Sequence, residues 1–152
     1  MSRDFEKIVG DYEAFRSGVA RCHETKDVND IRDAYGRFYR VRDRYNSTKA
    51  NLDAWERDFL RKVLEEDEFI EGMGRLRGIS EHVETGNTEL RHPHGEPFEL
   101  TPASSAAILF ESHRVYVTDV DGKPQLIDHL DRLAKAQERL AKAISKASGP
   151  KA

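Results

Sequence analysis

Apolar residues return along the first third of the chain in steps of three and four. Phe5, Ile8, Tyr12, Phe15, Val19 and Cys22 fall on one helical face, because 3.6 residues per turn brings them into register. The spacing predicts a helix over about residues 3–24, capped by Ser2. Gly10 and Gly18 weaken it by up to about 1 kcal/mol each relative to alanine, so packing must hold it. Asp27 is a second N-cap, with Asp30 at the third helical position, and Val28, Ile31, Tyr35, Phe38, Val41 and Tyr45 repeat at helical spacing behind it. Asn46-Ser47-Thr48 ends that run. Asn51 or Asp53 opens the next, with Leu52, Trp55, Phe59 and Val63 on one stripe. The acidic cluster Glu65-Glu66-Asp67-Glu68 leaves two readings open, a solvated turn within one long helix or the start of a new one. Ile70 or Phe69, then Met73, Leu76 and Val83, continue the apolar face.

The period changes after Glu84. Thr85-Gly86-Asn87 reads as a loop, and short extended pieces on either side of His92-Pro93-His94-Gly95 read as a hairpin. Thr101-Pro102 starts a short helix over Ala103 to Glu111, proline being suited to a first helical turn. Arg114 to Val120 alternates, Val115 and Val117 against Tyr116 and Thr118, and Asp121-Gly122-Lys123-Pro124 marks a turn. The last helix carries Leu126, Leu130, Leu133, Gln137, Leu140 and Ile144. Asp128 and Asp131 lie in its first turns and Lys142 and Lys146 in its last, an order that complements the helix dipole. Ser148-Gly149-Pro150 stops it. The fold expected is mainly α: a single domain over residues 1–147, a four- to five-helix bundle with a small antiparallel β-hairpin insertion at about 88–124 before the C-terminal helix, then a frayed tail over 148–152. The narrow apolar face of that last helix suits pairing with a second copy, so a homodimer is expected.

Composition narrows the function classes. Of 152 residues, 38% are hydrophobic and 35% charged, a balance that suits amphipathic helices better than a fully buried parallel sheet. A net charge of -3 gives no global basic field. The charge is uneven, however: Arg32 to Lys62 holds nine basic and five acidic residues, Glu65 to Glu99 three basic and ten acidic. Cys22 is the only cysteine, which excludes a disulfide framework and a cysteine zinc ribbon. No run approaches the length of a membrane span and the N-terminus lacks a signal-peptide core, so a cytoplasmic location with no membrane partner is expected.

The sharpest local pattern is Arg75-Leu76-Arg77-Gly78-Ile79-Ser80-Glu81-His82. Arg77 and His82 stand as R-x4-H, Arg75 and His82 as R-x6-H. In this the chain resembles the HEPN superfamily, small helical domains, often dimeric, many of which cut RNA without a metal. The family's hallmark is an arginine followed four to six residues later by a histidine. The resemblance covers residues 30–85. It implies a helical bundle, a paired active site at a dimer interface, RNA as substrate, and a toxin–antitoxin or defence setting. It carries over onto His82 and one of Arg75 or Arg77. The family usually has a polar residue directly after the arginine; this chain has Leu76 after Arg75 and Gly78 after Arg77.

The chemistry of such a pair is definite. A histidine titrates near neutrality, so it can take a proton from a ribose 2′-hydroxyl or return one to the leaving oxygen. An arginine can stabilise the extra charge on a pentavalent phosphate. Within a straight helix Arg75 and His82 share a face, since seven residues make nearly two full turns, whereas Arg77 lies about 140° from His82. A break at Gly78 would favour Arg77 instead. The plainer reading of the same stripe is a surface pair of Glu71 with Arg75 and a histidine closing a helix.

Arg37, Arg40 and Arg44 fall on one face of the second helix and are candidates to guide RNA, with aromatics interleaved between them. Their plainer reading is a solvated, ion-paired face. His92 and His94 form an H-x-H pair that could meet one zinc if Glu81, His82 or His113 approached, but nothing in the sequence fixes further ligands, so no metal or other cofactor is assigned. A competing function of another class is a non-catalytic helical module that binds a protein partner through an apolar groove, with Leu133 and Leu140 at its contact face.

Overall fold

A computed structural model describes residues 1–84, 88–99, 108–118 and 122–149, and of 77–84 the backbone alone. The chain is mainly helical. Its described elements are α1 (Arg3–Thr25), α2 (Val28–Thr48), a 3-10 turn (Lys49–Asn51), α3 (Ala54–Leu64), α4 (Glu68–Glu84), β1 (Glu89–Arg91), β2 (Arg114–Thr118), β3 (Pro124–Asp128) and α5 (His129–Ser148).

Side-chain caps set the helix starts. Ser2 accepts from the Phe5 amide at 3.1 Å, and Asp27 accepts from the Asn29 and Asp30 amides. Asp53 opens α3 in a capping box with Glu56, and Asp67 accepts from the Phe69 and Ile70 amides to open α4. The acidic cluster is thus a break between two helices, not a turn of one.

The stripes predicted for α1 and α2 are core, but α3 departs from its expected stripe: it buries Leu60, Val63 and Leu64 and leaves Trp55 and Phe59 half-buried. Phe5, Ile8, Phe15, Cys22, Ile31, Tyr35, Phe38, Val41, Leu60, Ile70, Met73, Leu133 and Leu140 are completely buried. α1 lies along α2, and α5 packs against both α1 and α3. Gly18 allows the first contact, because a Cβ there would stand 3.4 Å from the Ala34 Cα and 3.1 Å from the Arg37 side chain. The packing that compensates for this glycine is therefore the α1–α2 crossing itself.

The β element is a three-stranded antiparallel sheet in the order β1-β2-β3. Leu90 faces Val117 and Val115 faces Ile127, and all four are buried. The turn His92–Gly95 follows β1, and Arg91 bridges back to Pro97. The short helix expected over Ala103 to Glu111 falls largely outside the described residues; Ile108 and Leu109 are helical. One boundary is corrected. Leu126 belongs to β3, paired with Tyr116 and 44% exposed, and the last helix begins at His129. A spacing of four from Leu126 to Leu130 fits a helix, but Asp128 caps the Asp131 amide and ends the strand there. The β element therefore runs to Asp128, past the expected limit at 124.

One carboxylate ties the start of α1 to the start of α3. Glu56 of α3 is 2% exposed, yet it accepts from Ser2 N at 2.9 Å, Ser2 Oγ at 2.7 Å and Asp53 N at 3.1 Å. It closes its own capping box and holds the start of α1, where a negative charge also meets the helix dipole. Glu56→Ala should cost about 2–3 kcal/mol of unfolding free energy by urea titration, since it orphans several donors at once. A loss below about 0.5 kcal/mol, the range of ordinary surface changes, would show that this tie is dispensable.

Candidate functional site

α4 runs without a break from Glu68 to Glu84, through Gly78. Over a continuous helix, seven residues return to within about 20° of the same direction and rise about 10 Å. That geometry pairs position 82 with position 75 rather than with 77. The side chains of Arg77 and His82 lie outside the described residues. Arg75 is on view: its side chain is 73% exposed and donates to Glu71 at 3.1 Å. Glu68, Glu71 and Arg75 all face solvent.

The α2 arginines are placed elsewhere. Arg37 pairs with Asp33 at 2.9 Å and donates to the Ala14 carbonyl at 2.7 Å. Arg44 pairs with Asp11 of α1. Both are therefore ties between α2 and α1 as much as surface charges. Arg40 is exposed and has no ionic partner among the described residues. α4 meets α2 on a different flank, where Tyr39 donates to the Met73 carbonyl at 3.5 Å. There a Cβ at Gly74 would collide with the Arg42 guanidinium, whose Nε is buried without a hydrogen-bond partner among the described residues. Positions 39 and 42 stand about 160° around α2 from the 37, 40 and 44 set. The structure does not bring those three arginines beside α4.

His92 and His94 stack on one another, centroids 5.3 Å apart and planes within 11°. His92 also lies 3.9 Å from the Phe98 ring centroid, and His94 is 3.8 Å from Glu96. Among the described residues no three His, Cys, Asp or Glu side chains gather as a metal site would need. Cys22 is buried, and burial pushes its thiol up to about 11, which leaves it a poor nucleophile. Leu133 and Leu140 are wholly buried inside the chain, so neither is displayed to a partner.

The feature that sequence reasoning passed over is a basic groove between α3 and α5. It encloses about 600 Å³ and is lined by Lys62, Lys135, Arg139, Lys142 and Lys146, against two acids, Asp67 and Glu138. Phe59, Val63 and Ala143 supply its apolar lining. Its signal was present: 135, 139, 142 and 146 step by four, three and four, a second stripe beside the leucines.

No protein-family model, curated protein or solved structure matches the chain. Function must therefore be argued from the residues.

His129, also passed over, is the most strongly perturbed histidine among the described residues. It is fully buried at the start of α5. A carbonyl only accepts, so Nε2–H donates to the Leu109 carbonyl at 3.1 Å and Nδ1 accepts a hydrogen bond from the Tyr35 hydroxyl at 2.9 Å. Burial pulls its pKa down to about 4, and Arg132 adds to the effect. A closed, satisfied ring of this kind is a latch between α2, α5 and the segment before β2, not an acid or base open to substrate. Because its folded pKa lies below the ordinary value, its neutral form is favoured by folding. Its contribution is whole above about pH 6.5 and is lost as pH falls towards about 4, by about 3 kcal/mol in all. His129→Gln keeps a donor and an acceptor but does not titrate. Thermal melts from pH 7 to pH 4 should show the wild type losing its advantage over His129→Gln as acid is added; parallel curves would contradict this.

Proposed function

We propose that the chain is a HEPN-like domain that acts on RNA, a metal-independent endoribonuclease with His82 as general acid/base and Arg75 as the phosphate-stabilising residue. The observation that supports it is the unbroken course of α4 from Glu68 to Glu84, which puts positions 75 and 82 on one face. Exposure of Arg75 leaves its guanidinium available, because an i,i+4 surface pair with Glu71 is worth only a few tenths of a kcal/mol.

The reaction this pair would perform is a transesterification. His82 removes the 2′-hydroxyl proton, the 2′-oxygen attacks phosphorus, and the P–O5′ bond breaks. The products are a 2′,3′-cyclic phosphate and a 5′-hydroxyl. Arg75 holds the charge that builds on the phosphoryl oxygens. One imidazole cannot be base and acid in the same instant, so two copies of α4 facing one another would supply both roles. The domain is accordingly proposed to work as a cytoplasmic homodimer in the setting that the resemblance implies. Among the described residues no helix is long and apolar enough to cross a membrane.

Incubation of a mixed RNA pool with excess EDTA should yield fragments ending in 2′,3′-cyclic phosphate. His82→Ala should lower the rate by about 10²–10⁴-fold. Arg75→Ala should lower it by about 10²-fold, and Arg77→Ala far less. Cleavage that EDTA removes, or that survives His82→Ala, would overturn the assignment.

A further inference from the structure

We propose that the α3–α5 groove is a binding track for single-stranded RNA, with its backbone along Lys135, Lys142 and Lys146 and a base stacked on Phe59. The choice of RNA rests on the proposed ribonuclease function; the site does not depend on α4. Three observations carry it. First, five cations line the groove, and the four acids that pair with them, Asp58, Asp67, Asp131 and Glu138, leave a local balance of +1 in a chain whose net charge is -3. Second, the α5 cations form a row. From 135 to 146 the axis rises about 16 Å, with a charge every turn, which matches a strand of a few nucleotides rather than one isolated anion. Third, the floor holds a half-buried aromatic. Phe59 is propped by Trp55 in a T-shaped contact at 5.0 Å, and Lys62 stands over its ring at 5.5 Å. A ring face that already attracts a cation, inside a basic groove, is the combination that binds single strands without regard to sequence.

The cations can be released to phosphate. Lys62 pairs with Asp58, Lys135 with Asp131 and Lys142 with Glu138, all exposed i,i+4 pairs that a phosphate can replace at little cost. Lys146 has no ionic partner among the described residues. Arg139 stays in place, held by Asp67 at 2.6 Å and lying over the Phe69 ring. Asp67 caps α4, and position 75 is about 12 Å further along that helix.

The test is fluorescence anisotropy of the full chain with a labelled oligouridine across a salt series. Binding should weaken with salt at a slope near -2 in log–log form, as for about three phosphates on a single strand. Lys142→Glu with Lys146→Glu should weaken binding at least about 10-fold. Phe59→Leu should weaken it about 5- to 100-fold, with a thermal melt to check folding. Arg40→Glu should leave it unchanged. Equal binding by both groove variants, loss with Arg40→Glu, or displacement by oligoglutamate or anionic vesicles as readily as by RNA would overturn the proposal. The two readings fail separately. RNA binding by the wild type without any cleavage would sink the nuclease alone, and cleavage with an unchanged KM in the groove variants would sink the track alone.

Discussion

Closure of the bundle falls to its last helix. α5 buries Leu133, Ala136, Leu140, Ala143, Ile144 and Ala147, and packs against α1 and α3 while touching α2 and α4. It thus meets all four of the other described helices. A stripe wide enough to serve several neighbours must use small residues between the large ones, which explains the alternation of leucine with alanine. Because the chain itself covers this seam, a second copy would have to meet the protein elsewhere. If the domain is the proposed nuclease, α4 is the face where it would do so.

Two buried polar groups then fix how the layers register. Glu56 joins α3 to the start of α1, and His129 joins the start of α5 to Tyr35 of α2. Each is fully hydrogen-bonded, so each specifies a position where an apolar contact would tolerate sliding. α4 is held differently: Ile70, Met73 and Leu76 are buried, and the Arg42 side chain fits where Gly74 has no Cβ. A helix with a buried lower face and an exposed run of Glu68, Glu71 and Arg75 suits a surface at which chemistry or pairing takes place.

α1 and α2 were legible because a 3.6-residue period and a capping residue agreed in each, whereas the break between α3 and α4 stayed open because an acidic cluster suits both a solvated turn and a helix start. Ser2 and Asp27 mark the starts of α1 and α2 as the sequence pattern predicts, and of the two starts open for α3, Asn51 or Asp53, the structure uses Asp53. The start of the last helix was misplaced at Leu126 because a strand leading straight into a helix shares one leucine spacing, and only the Asp128 cap separates them. The third strand was hidden for the same reason. The candidate site was less legible. Periodicity could say that Arg37, Arg40 and Arg44 share a face, but not that Asp11 and the Ala14 carbonyl would occupy two of them, because those partners come from another helix. The groove needs α3 beside α5, a contact between elements far apart in the chain that no local pattern contains.

The composition of the groove also shows how a stable helix can display a row of cations. On α5, Asp131 precedes Lys135 by four residues and Glu138 precedes Lys142 by four, the order in which such pairs favour a helix. Lys142 and Lys146 lie near its C-terminal end, where the dipole favours positive charge. The cations therefore support the fold when nothing is bound. A phosphate would replace the partner acids, each worth only a few tenths of a kcal/mol, while the dipole contribution persists. Binding at such a surface asks little rearrangement of the protein, and this is the physical reason to place the strand on α5 rather than on α2, where Arg37 and Arg44 are committed to holding α1.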